Sequence, residues 1–160
     1  MSPAPVCLEF GSRVEDLARL GPAVEEFGAV HQLPGDVVSA VRLALEEVLT
    51  NVIRYGFRDG CSQAVRVHLA RDANGVTARV EDDGCPFNPL AHPPPAVDRP
   101  IEARPIGGLG VWLTRWAMDA LDYRREGGKN ILVMRKALPP TSANFPRPPR
   151  PGRIPKGPDP

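Results

Sequence analysis

An α+β sandwich, with helices on one face of a mostly antiparallel mixed sheet, is the fold class this chain predicts. Three observations predict it. Apolar residues recur every three or four positions from Val14 to about Tyr55, which is helical spacing. Two runs of alternating apolar residues follow, Ala64–Ala70 and Val76–Val80. A third helical stretch and two more strand-like runs then close the ordered part, giving the order β-α-α-β-β-loop-α-β-β.

Val6–Phe10 predicts the first strand. Val14, Leu17, Leu20, Val24, Phe27 and Val30 predict a helix to about Gln32, kinked or divided at Gly21-Pro22. Leu33-Pro34-Gly35-Asp36 predicts a turn with Asp36 as the cap of the next helix. That helix should run from about Val37 to Tyr55, with Val38, Val41, Leu45, Val48 and Val52 as its buried stripe, and end at Gly56. Asp72-Ala-Asn-Gly75 predicts a hairpin turn. A helix over about Leu109–Leu121, whose stretch Trp112–Leu121 carries an apolar stripe that reads as core rather than site, precedes strands near Tyr123–Glu126 and Asn130–Arg135. Gly127-Gly128 supplies the turn between those strands.

The 160 residues suffice for one domain with a real core. A net charge of +1 gives no global pull toward nucleic acid. No apolar run approaches the roughly 18–20 residues of a membrane span, and no signal-like segment opens the chain, so a cytoplasmic protein is expected. Cys7, Cys61 and Cys85 have no metal-type spacing and fit a reducing compartment. Proline crowds into two stretches, 86–105 and 139–160. The second is basic with little to bury, which predicts a disordered tail over 137–160 after a domain of residues 1–136.

Three short segments carry the chemistry. In Glu47-Val-Leu-Thr-Asn51, a helix turning about 100° per residue puts Glu47 and Asn51 together at one edge of the apolar stripe. It points Glu46 away as a solvated charge. Carboxamide and water oxygens suit Mg²⁺. In Asp82-Asp-Gly-Cys-Pro-Phe-Asn88 a carboxylate ends a strand beside Gly84, so an exocyclic amino group can donate to it while backbone comes close to a ring. In Gly107-Gly-Leu-Gly110 the residues Gly107, Gly108, Leu109 and Gly110 open a helix, and N–H groups there attract phosphate oxygens. There is no G-x-x-x-x-G-K-[ST] run, and no G-x-G-x-x-G opens a βαβ unit, so neither a Walker nor a Rossmann site is expected. The connection 86–106 is too long and proline-rich for an ordinary loop.

Together, in this order, the segments resemble the Bergerat ATP-binding fold of the GHKL superfamily, and within it the anti-sigma-factor serine kinases of the RsbW type. The resemblance covers roughly residues 6–136 and is weakest across the first helix. It implies ATP and Mg²⁺ as cofactors, Asn51 as metal ligand, Glu47 as general base and Asp82 as acceptor of the adenine amino group. It makes 86–106 an ATP lid in which Arg99 and Arg104 can meet the γ-phosphate. The implied activity is phosphorylation of a serine on a STAS-domain anti-anti-sigma antagonist, alternating with sequestration of a sigma factor or another client regulator. A homodimer is compatible with it, and neither nucleic acid nor membrane is a direct partner. One rival is a non-catalytic, nucleotide-dependent binding module, against which both Glu47 and Asn51 argue. Another is the catalytic half of a sensor histidine kinase, for which no helix with an acceptor histidine precedes the domain.

Overall fold

The computed structural model describes residues 4–57, 64–91 and 108–140. Arg99, Arg104, Gly107 and most of the expected lid lie outside these residues, as does the tail beyond 140. Strands β1 (Val6–Phe10), β2 (Val65–Arg71), β3 (Gly75–Asp82), β4 (Ala120–Glu126) and β5 (Lys129–Ala137) form one sheet in the order β1-β2-β3-β5-β4. All four pairings are antiparallel, so among the described residues the expected mixed sheet has no parallel junction. Two of the junctions are tight hairpins, which can only be antiparallel.

Alternation sorts each strand into two faces. Phe10, Val65, Val67, Leu69, Val76, Ala78, Val80, Leu132 and Met134 point inward and form one core with the helices. The other face carries cross-strand ion pairs such as Glu9–Arg66 (2.9 Å), with Arg79–Glu81 along β3. Helices α1 (Leu20–Val30), α2 (Gly35–Asn51) and α3 (Gly108–Ala117) contribute to the same core.

The first helical stretch is divided, as Gly21-Pro22 suggested, but at Leu20: a 3₁₀ turn over Val14–Arg19 leads into α1. Pro22 then falls in the first turn of α1, where its missing N–H has no intrahelical partner to lose. Asp36 is not the cap of α2. The helix begins at Gly35 behind Pro34, and Asp36 Oδ1 instead accepts from the Val37 N–H at 2.9 Å inside the first turn. The buried stripe of α2 runs through Val37, Val41, Ala44, Leu45 and Leu49, with Val38, Val48 and Val52 on its flank. After Asn51 the helix widens into a π-turn, Val52–Gly56.

Helix α3 stops at Ala117, short of Leu121. The Asp119 N–H donates to the Arg135 carbonyl (2.9 Å) and Asp119 Oδ2 accepts from the Ala137 N–H (2.7 Å), which draws the chain into β4. The core side of α3 is Val111, Thr114 and Ala117, not the tryptophans: Trp116 is 71% exposed. Strand β5 continues to Ala137, and the Leu138 N–H donates to the Asn74 carbonyl (3.0 Å), past the expected boundary at residue 136.

Candidate functional site

Helix α2 presents Glu47 and Asn51 one turn apart, both half-buried, toward the first turn of α3. The approach is close. A Cβ on Gly110 would lie 2.5 Å from Glu47 Oε2 and 3.4 Å from Asn51 Nδ2, so only glycine fits with this pair in place. Neither side chain makes a hydrogen bond or ion pair with any described residue. An acid and an amide, both half-buried and free of protein partners among the described residues, thus face a glycine in the first turn of a helix, where a ligand or water can reach them. Glu46 faces elsewhere, as expected, but is not a free charge: Arg42 Nε donates to it at 2.8 Å, and Arg42 Nη1 to Glu25 at 2.7 Å.

A second polar centre lies at the end of β3. Asp82 is 5% exposed, and its Oδ1 accepts from the Gly84 N–H and from Asn130 Nδ2, both at 2.9 Å. Its Oδ2 has no partner among the described residues. Burial pushes the Asp82 carboxyl above the usual aspartate range. The Asn130 and Gly84 hydrogen bonds and the Arg125 charge pull the other way, and Asp83 adds to the push. Gly84 is required by crowding: a Cβ there would sit 2.6 Å from the Gly56 carbonyl oxygen and 2.7 Å from Asp82 Oδ1. The two centres are joined at this point, because the Cys85 N–H donates to the Gly56 carbonyl (2.8 Å) at the end of the π-turn that follows Asn51. π-Turns of this kind recur at functional sites.

The structure thus brings Glu47, Asn51 and Gly110 together, and places Asp82 and Gly84 at the far end of the π-turn. Gly108 opens α3; Leu109, 52% exposed, lies on its outer side. Arg104 and Gly107 lie outside the described residues. Sequence reasoning missed Asn130 and Arg125. Register gives the reason for their placement: Asp82 pairs with Asn130 and Asn130 with Arg125, so all three share the inward side of the sheet. The signal was a polar residue at the parity of Leu132 and Met134, but the partner it serves is 48 positions away in the chain.

Comparison with known proteins identifies the family and the fold. The histidine kinase-like ATPase domain family matches residues 10–136. A serine/threonine-protein kinase, BtrW, from Bordetella bronchiseptica is 29% identical over 62% of this chain and 70% of its own length. An anti-sigma F factor from Clostridium beijerinckii is 29% identical over 85% of this chain and 95% of its own. Among solved structures, the RsbU and RsbW domains of a Mycobacterium tuberculosis protein superpose with a TM-score of 0.62 at 13% identity. That match spans 85% of this chain and 32% of the other, and shares the fold. The resemblance drawn from the three segments is borne out. With its match running from the end of β1 almost to the end of β5, this chain belongs to the histidine kinase-like ATPase domain family.

Proposed function

We propose that this protein is an ATP- and Mg²⁺-dependent serine kinase of a bacterial partner-switching circuit. It would phosphorylate a STAS-domain anti-anti-sigma protein and, in its other state, hold a sigma factor or a comparable client. The observation that carries the reading is the pair Glu47 and Asn51, unpartnered among the described residues and converging on Gly110 at the start of α3. The relatives named as a serine/threonine-protein kinase and as an anti-sigma F factor support the assignment of class.

The donor set suits the chemistry. Asn51 would hold Mg²⁺ through its carbonyl oxygen, and the ion, when bound, neutralises charge on the phosphates. Glu47 accepts the proton of the attacking serine hydroxyl. The hydroxyl oxygen bonds to the γ-phosphorus while the bond to the β–γ bridging oxygen breaks, and ADP leaves with that oxygen. The first turn of α3, from Gly108, offers N–H groups to phosphate oxygens. Asp82, through the oxygen its neighbours leave open, accepts from the adenine amino group, which selects ATP over GTP.

The test is incubation with ATP, Mg²⁺ and the cognate STAS protein, read by mass spectrometry for one added phosphoryl group on a serine. ATP binding without transfer would instead assign a nucleotide-dependent binding module. Asp82→Asn should weaken ATP binding by about 1.5–3 kcal/mol, the worth of a charged hydrogen bond. Equal calorimetric affinities of the unaltered protein for ATP and GTP would remove Asp82 from base recognition.

A further inference from the structure

Asn130 makes five hydrogen bonds through one carboxamide that is 6% exposed at the residue level. Nδ2 donates to Asp82 Oδ1 (2.9 Å) and to the Cys85 carbonyl (2.9 Å). Oδ1 accepts from Tyr123 OH (2.8 Å), from Arg125 Nη1 (2.8 Å) and from the Phe87 N–H (3.3 Å). Arg125 Nη1 also reaches the Gly84 carbonyl at 3.2 Å. The partners fix which way the amide points. Turned over, its NH₂ would face the Arg125 and Phe87 donors, and its oxygen would face the Asp82 carboxylate.

Packing alone does not ask for an asparagine here. Its parity neighbours on β5, Leu132 and Met134, are core residues, and a buried amide is unfavourable unless every group is satisfied. What an amide does, and an apolar side chain cannot, is carry polarity across β5. The positive guanidinium on β4 faces the amide oxygen, and the amide N–H faces the carboxylate on β3. Each dipole in the chain favours a negative Asp82. Among the described residues the other charge close to Asp82 is its neighbour Asp83, whose Oδ1 lies 3.9 Å from Lys129 Nζ. On β2 the residue opposite is Val65, and the end of the π-turn presents the Gly56 backbone, so neither brings charge.

We propose that Asn130 is a positioning residue for base recognition: its carboxamide turns Asp82 Oδ1 inward, leaves Oδ2 for the ring, and couples that arrangement to Arg125. The inference rests on the reading of Asp82 as the base acceptor. It extends that reading from one carboxylate to a three-strand relay, Arg125–Asn130–Asp82.

The experiment titrates the Asp82 carboxyl carbon by NMR in the nucleotide-free, full-length protein, and measures the ATP dissociation constant across the same pH range. In Asn130→Leu the midpoint of Asp82 should rise by about one unit or more, because a donor to the ionised form is gone. The pH below which ATP affinity is lost should rise with it. Asn130→Thr, with one hydroxyl donor, should recover part of both shifts. Arg125→Gln, at an exposed position where folding is not at stake, should move the midpoint the same way by less. An unmoved midpoint in Asn130→Leu, or in Arg125→Gln should the first variant not fold, overturns the proposal. So does a loss of ATP affinity that is uniform across pH. If instead Asp82→Asn binds ATP normally while the midpoints shift as expected, the relay stands and the base-acceptor reading falls.

Discussion

Gly110→Ala tests whether the acid–amide pair and the start of α3 are one site. A Cβ at this position meets Glu47 Oε2 at 2.5 Å, whereas an ordinary contact begins near 3.4 Å, so the carboxylate must withdraw by about 0.9 Å. Asn51 Nδ2, at 3.4 Å, need not move. The displaced atom is the tip of a flexible side chain, so the fold should tolerate the change. Alanine in place of glycine in a helix favours stability by up to about 1 kcal/mol. The melting temperature should therefore stay or rise by a few degrees. Chemistry should respond in the opposite direction, because a misplacement of about 1 Å in a reacting group costs on the order of 10²-fold, or about 2.7 kcal/mol of barrier. The assay is single-turnover phosphoryl transfer to the proposed STAS partner at saturating ATP-Mg²⁺, beside a thermal melt. In a Glu47→Ala background there is no Oε2 to displace, and Gly110→Ala should then add less than about 3-fold. Undiminished transfer by Gly110→Ala would refute the reasoning. A full, additive loss in the double variant would show that the alanine acts on phosphate contacts rather than on Glu47.

Glu47→Ala should lower transfer by about 10²–10⁴-fold with ATP affinity retained. Glu46→Ala should change both the rate and the stability little, since its pair with Arg42 is exposed; exchanged phenotypes would reverse the two assignments. Gly84→Ala forces a methyl against the Gly56 carbonyl and should cost about 1–3 kcal/mol in urea denaturation; an unmoved midpoint would mean the turn has room. His31, buried against Phe27 with Nδ1 unpartnered among the described residues, is held below the usual histidine range by burial and then by Arg71. The unfolded chain takes up that proton first, so stability should be level above about pH 6.5 and fall as pH drops from there toward the folded value. Melts of His31→Phe should lose that slope, and an identical slope would assign the acid sensitivity elsewhere.

Local pattern made much of this molecule legible. Strand β1 has the limits its alternation gave, and the β2–β3 and β4–β5 hairpins lie where their turn residues put them. The motif residues Glu47, Asn51 and Gly110 also meet. What was misread was direction. Helix α2 has apolar side chains over so wide an arc that a wheel alone cannot choose its centre, and the sheet selects Leu49 and Ala44 over Val48. The stretch Trp112–Leu121, with its two tryptophans, read as core by hydrophobicity. Helix α3 packs chiefly on α2 and buries its smaller residues Val111, Thr114 and Ala117 instead, leaving both rings on the outside. Asn130 and Arg125 were not legible because their role depends on strand register between distant segments.

That register has its origin in the two residues Gly127 and Gly128. Both have positive φ, 57° and 78°, and they join Glu126 to Lys129 as a two-residue loop whose twist matches that of the strands. Adding or deleting a single residue there would slip β4 against β5 and put a different residue opposite Asn130, since side chains alternate with a period of two. Helix and strand content would be preserved while Arg125 lost its station. An exposed turn outside the proposed nucleotide site therefore acts as its alignment pin, and a change of loop length at this surface should disturb that site as much as a substitution within it.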